Sequence, residues 1–171
     1  MNPLTKTVVY DLEASEFPWE IAPGKSIQAW GFNNQLPGPV LRANAGDTMV
    51  IRLTNHLNEP TMIHWHGICL PASMDGTDAV QKPIEPGEVF EYRFVVKDAG
   101  TFWYHAHANE TVQMERGMYG AIIVDGAADP VVDGERICMI DDMKLDERKE
   151  FTKPSGFMPR LVERHDGREG N

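Results

Sequence analysis

Thr48-Met49-Val50-Ile51-Arg52-Leu53-Thr54 decides how this chain folds. Met49, Ile51 and Leu53 fall on one side of the segment, Arg52 and Thr54 on the other. A period of two is the signature of a β-strand with one face turned to a core. The turn sequence Ala45-Gly46-Asp47 bounds it. Working outward, Thr7–Leu12, Ser26–Phe32, Met62–His66, Val89–Val96, Thr101–His107, Ala121–Val124 and Arg136–Ile140 carry the same Val, Ile, Thr and aromatic enrichment. Leu36-Pro37-Gly38-Pro39, Glu85-Pro86-Gly87-Glu88 and Asp98-Ala99-Gly100 punctuate them with turn chemistry. No long amphipathic helix pattern and no internal repeat interrupts the series. Eight or so short strands at this spacing predict an all-β sandwich or barrel.

The chain has 171 residues, enough for one domain with a substantial core and too few for two ordinary ones. Its formal charge of −10 argues against nucleic acid or an anionic membrane as a partner, because both demand basic patches. No apolar run approaches the roughly 18 residues of a membrane span. The opening Met1-Asn2-Pro3-Leu4-Thr5-Lys6 has no apolar leader core, which leaves the compartment undetermined. Two cysteines, Cys69 and Cys138, are too few for a disulfide framework; two buried free thiols are the expectation.

The composition changes after Met143. Residues 144–171 hold seven basic and six acidic side chains, so the acidity belongs to residues 1–143. Pro154, Gly156, Pro159, Gly167 and Gly170 punctuate that tail, which reads as an irregular connector toward a further domain. The expected organisation is a sandwich domain over 1–143 and a connector over 144–171.

Four of the six histidines form two His-x-His pairs, His64-Trp65-His66 and His105-Ala106-His107. Within a strand, residues i and i+2 share a face about 6.6 Å apart, and adjacent strands lie roughly 4.8 Å apart. Two such pairs on neighbouring strands would set four imidazoles in a patch too wide for one tetrahedral ion. It would suit two or three metals, and imidazole favours Cu, Zn, Fe and Ni. A single pair is commonly a surface accident or a core-edge coincidence; two pairs in strand-like aromatic segments are not. His56 and His165 lie in polar contexts without partner spacing and read as solvated.

Here the sequence resembles a known family. Met62-Ile63-His64-Trp65-His66-Gly67 and Phe102-Trp103-Tyr104-His105-Ala106-His107 resemble the first two copper motifs of multicopper oxidases of the laccase type. Asn34-Gln35-Leu36-Pro37-Gly38-Pro39 with Gly46-Asp47, the turn Met74-Asp75-Gly76, Gln81-Lys82-Pro83-Ile84-Glu85-Pro86-Gly87 and Gly117–Val124 follow in the family's order. The resemblance implies a cupredoxin-like Greek-key β-sandwich, the first domain of a three-domain enzyme. That enzyme couples one-electron oxidation of a small reducing substrate to four-electron reduction of O2. It also implies that His64 binds a type 2 copper and that His66, His105 and His107 bind a type 3 pair. Asp75 would be the carboxylate that orients water and relays protons; its plainer reading is a turn residue in an Asp-Gly pair. Trp65, Trp103 and Tyr104 read as packing.

The chain departs from the family by lacking the His-x-x-His-x-His and His-Cys-His motifs. Cys69 follows Ile68, and Cys138 follows Ile137, so no thiolate stands where type 1 copper would need one. Half the cluster ligands are therefore expected from missing domains or a second chain, without which this chain would be inactive. The alternative is a stand-alone copper-binding module without turnover. Both readings require the two histidine pairs to share one face within about 10 Å.

Overall fold

The computed structural model describes residues 5–142 and, as backbone only, 160–165. Among the described residues there are ten strands: β1 Thr7–Ala22, β2 Lys25–Phe32, β3 Gly38–Asn44, β4 Thr48–Asn55, β5 Ile63–His66, β6 Val89–Val95, β7 Gly100–Ala106, β8 Tyr119–Asp125, β9 Arg136–Ile140 and β10 Arg160–His165. One helix, α1 Glu110–Glu115, lies between β7 and β8, and a single 3-10 turn spans Ala72–Met74. Two four-stranded sheets have the orders β2-β1-β4-β6 and β3-β8-β7-β5, and β9 and β10 form a two-stranded third. Most pairs are antiparallel; β1 with β4 and β3 with β8 are parallel.

The apolar side of β4 lands where its alternation placed it. Met49, Ile51 and Leu53 are fully buried, and Arg52 points to solvent beside Glu91. They join Leu12, Phe94 and Tyr92 from the same sheet, and Leu41, Trp65, Tyr104 and Ile122 from the other, in one continuous core. The two four-stranded sheets are thus the halves of a β-sandwich. Trp65 is its aromatic centre, with ring centroids 5.1 Å from Tyr92, 5.1 Å from Phe94 and 6.0 Å from Tyr104. Two phenols are anchored by backbone: Tyr92 accepts the Ile63 N–H at 2.9 Å, and Tyr104 donates to the Pro39 carbonyl at 2.8 Å. Glycine at position 120 is required here, since a Cβ would overlap the Tyr104 ring.

Three elements differ from expectation. β1 runs ten residues beyond Leu12, through charged residues and Pro18. Its second half pairs only with β2, so the missing N–H of Pro18 costs no ladder bond to β4. β3 shares only Gly38-Pro39 with the expected turn and extends to Asn44; it is an edge strand, where proline is tolerated. Residues 160–165 of the expected irregular tail form β10, which pairs antiparallel with β9 and satisfies that strand's open edge. The rest of the tail lies outside the described residues.

Both cysteines are free, as expected, but they are exposed and not buried. Cys138 alternates outward on β9 with Arg136 and Ile140, and Cys69 sits in the loop leaving β5.

Asp47 closes the turn before β4. It is 3% exposed, and its carboxylate accepts the N–H of Lys6 at 2.8 Å, the N–H of Asn44 at 2.9 Å and the Asn44 amide at 3.1 Å. The Lys6 bond first, and then those of Asn44, hold its carboxyl below the ordinary value. A depressed carboxyl stabilises the fold above its unfolded pKa, and that contribution fades as pH falls through the folded value. Asp47→Ala should therefore cost about 2 kcal/mol at neutral pH, from unpaired donors, and much less in strong acid. Urea unfolding at the two pH values checks this.

Candidate metal centre

β5 is four residues long and pairs antiparallel with β7 in the register Ile63↔Ala106, His64↔His105, Trp65↔Tyr104 and His66↔Trp103. Alternation then sorts the residues. Ile63, Trp65, Tyr104 and Ala106 enter the core. His64, His66, Trp103 and His105 line the opposite face, and His107 follows just past the end of β7. The His107 N–H donates to the Met62 carbonyl at 3.0 Å, which continues the ladder by one step and brings the fourth ring alongside.

The four imidazoles form one patch. Ring centroids of His64 lie 5.7 Å from His66, 5.3 Å from His105 and 5.5 Å from His107. His105 is 5.7 Å from His66 and 6.2 Å from His107. A potential ligand nitrogen from each of His64, His66 and His105 lies within 4.8 Å of the others. Trp103 completes the face: its indole stacks at 28° on both His66, at 4.8 Å, and His105, at 4.4 Å. Sequence reasoning assigned Trp103 to packing, and packing against the histidines is what it does.

Backbone carbonyls decide two tautomers. The His64 Nδ1 lies 2.9 Å from the Asp75 carbonyl, and the His105 Nδ1 lies 3.0 Å from the Ala106 carbonyl. A carbonyl only accepts, so both Nδ1 atoms carry the proton and both Nε2 lone pairs are left for a metal. The His107 Nδ1 is buried without a hydrogen-bond partner. Asp75 reaches His64 because Gly76, at φ +69, lets the turn press on β5; a Cβ there would overlap the Ile63 carbonyl. The Asp75 carboxylate lies 3.6 Å from the His64 Nδ1. His56 is exposed and apart from this patch.

One acidic residue at the face escaped sequence reasoning. Glu110, in the first turn of α1, has carboxylate oxygens 3.7 Å from the His105 Nδ1 and 3.8 Å from the His107 Nε2. Its i+3 spacing from His107 was the available signal.

Comparison with known proteins is decisive at this point. The multicopper oxidase family model matches residues 13–129. The chain belongs to the multicopper oxidase family. Copper resistance protein A of Escherichia coli is 45% identical over 137 residues, covering 78% of this chain and 22% of that protein. The L-ascorbate oxidase of Cucumis sativus is 46% identical over 117 residues, covering 64% and 20%. The crystal structure of a multi-copper oxidase from Pseudomonas Thermotolerans superimposes with a TM-score of 0.78 at 38% identity, over 86% of this chain and 36% of that one. The chain therefore spans about a fifth of the length of the curated relatives it matches. No helix among the described residues is long and apolar enough to cross a membrane.

A multicopper oxidase domain calls for copper, and the donors present fit it. The patch offers clustered imidazole nitrogens from two strands, a donor type that suits Cu. Burial holds the His105 imidazolium down to about 4, partly offset by the Ala106 carbonyl and reinforced by repulsion from His64, His66 and His107. Lost hydration, then His64, also lowers His66, against the opposing pull of Glu110. A neutral ring at neutral pH is a ready ligand, with no proton to displace.

A lowered histidine pKa means that the unfolded chain binds the proton first, so stability must fall as pH drops from about 6.5 toward about 4. One proton corresponds to a slope of at most about 1.4 kcal/mol per pH unit. In the metal-free chain, His105→Gln should flatten this slope between those limits, as read from urea unfolding across pH.

Proposed function

We propose that this chain supplies half of the oxygen-reducing copper centre of a laccase-like oxidase. In this reading His64 holds a type 2 copper, and His66, His105 and His107 hold a type 3 pair. The observation that carries it is the register of β5 on β7, which sets His64 opposite His105 with the other two rings on the same face. Bound copper supplies the one-electron steps by which O2 takes up four electrons and four protons to give two waters.

The chain's own residues prepare that site. The Asp75 and Ala106 carbonyls fix the ring planes of His64 and His105 and direct their Nε2 atoms outward. Trp103 braces His66 and His105 by stacking. Trp65 and Tyr104, fully buried behind them, keep water from the strand pair's other side. Asp75 holds a carboxylate beside His64, where it accepts a proton from solvent and orients a water toward the face.

The remaining ligands and the electron-accepting thiolate have no counterpart in these 171 residues. They come from sequence bearing the His-x-x-His-x-His and His-Cys-His motifs, in further domains or a second chain. The reducing substrate binds there too.

Copper-loaded 1–171 should take up no O2 with a phenolic donor, and should gain activity when a partner carrying both motifs is added. Steady four-electron turnover by the chain alone would contradict the reading. In the active assembly, Asp75→Asn should leave copper content intact and slow turnover ten-fold or more, as proton-transfer groups commonly contribute. Unchanged turnover would leave Asp75 as a turn residue only.

A further inference from the structure

Among the described residues, Glu110 is the carboxylate that faces two of the four imidazoles at once, and a buried polar latch holds it there. The latch is centred on Gln113, which has no exposed surface. The Gln113 amide donates to Glu59 Oε1 at 2.8 Å and to the Pro60 carbonyl at 2.9 Å, while its oxygen accepts the Thr61 hydroxyl at 2.7 Å. Asn109 adds a bond to the same Glu59 oxygen at 3.1 Å. These bonds tie α1, which follows β7, to the segment that enters β5. Both histidine-bearing strands are thereby locked to the helix that presents Glu110.

A six-residue helix gains little from its own hydrogen bonds and depends on tertiary contacts for its place. Here the whole side-chain amide of Gln113 is spent on the residues before β5, not on solvent. The consequence is a carboxylate at 3.7 Å from His105 and 3.8 Å from His107, with its side chain 31% exposed. Its field also reaches His66. The Asp75 carboxylate lies beside His64. The patch is therefore flanked by two carboxylates, one at the end of the 3-10 turn and one in the first turn of α1.

We infer that Glu110 compensates charge at the metal face, held by the Gln113 latch where its carboxylate, too far from either ring to hydrogen-bond, offsets the charge of the metal that His105 and His107 bind. The inference rests on the copper-site reading above and extends it to a residue outside the histidine motifs. Carboxylates placed around a metal's ligand imidazoles are commonly worth ten- to hundred-fold in metal affinity. Glu110 is partly exposed, so Glu110→Gln keeps the shape and removes only the charge.

The test is calorimetric titration of the full 171-residue chain with Cu(II), with the EPR spectrum of the bound Cu(II) as second readout. Glu110→Gln should weaken binding about ten-fold and alter the nitrogen hyperfine pattern, with the thermal midpoint nearly unchanged. Glu110→Asp, with the charge but a shorter reach, should recover part of the affinity. Asp98→Asn, which removes an equal charge from the exposed turn before β7, should do neither. Equal affinity for Glu110→Gln and wild type would overturn the inference, as would an equal loss in Asp98→Asn. A wild-type chain that binds no copper would instead sink the copper-site reading itself.

Discussion

Everything at the metal face depends on the antiparallel pairing of β5 with β7 in one register. Side chains alternate faces with a period of two, so a slip of one residue would send the imidazoles inward and Trp65 and Tyr104 outward. The slip is opposed by the core. Trp65 is wedged among Tyr92, Phe94 and Tyr104, and the Tyr92 hydroxyl holds the Ile63 N–H. Burying a large aromatic ring contributes on the order of 2–3 kcal/mol, and moving two of them to water would forfeit that twice over. The apolar face of a four-residue strand thus sets the geometry of its polar face.

The second consequence is electrostatic. Burial first, and the neighbouring rings second, penalise protonation of His105 and His66 and so keep those two donors neutral. Carbonyls of Asp75 and Ala106 select the Nε2 lone pairs without adding charge. The two carboxylates then stand where positive charge would accumulate on metal binding. The face is built to be neutral when empty of protons and compensated when cationic.

Much of this was legible in the sequence because it rests on local periodicity. The β4 alternation gave its buried side, and the His-x-His spacing gave a shared face for each pair. What joined the pairs was the resemblance to multicopper oxidases, since strand pairing between residues forty apart leaves no local mark. The rest was hidden for identifiable reasons. The start of β3 looked like a turn because edge strands tolerate Pro39, and β1 outran its apolar stretch because a two-stranded ribbon tolerates Pro18. The cysteines were assigned to the interior by residue type, whereas strand parity turned Cys138 outward. Glu110 went unnoticed because its importance comes from Gln113, whose partners lie more than fifty residues away.

If the paired strands make a single copper-binding face, copper must sit among its four imidazoles. Anomalous scattering at the copper edge, from crystals of the copper-loaded chain, locates it. Anomalous density is expected among the rings of His64, His66, His105 and His107. Density at the exposed Cys69 or Cys138 with none among the four imidazoles would contradict it.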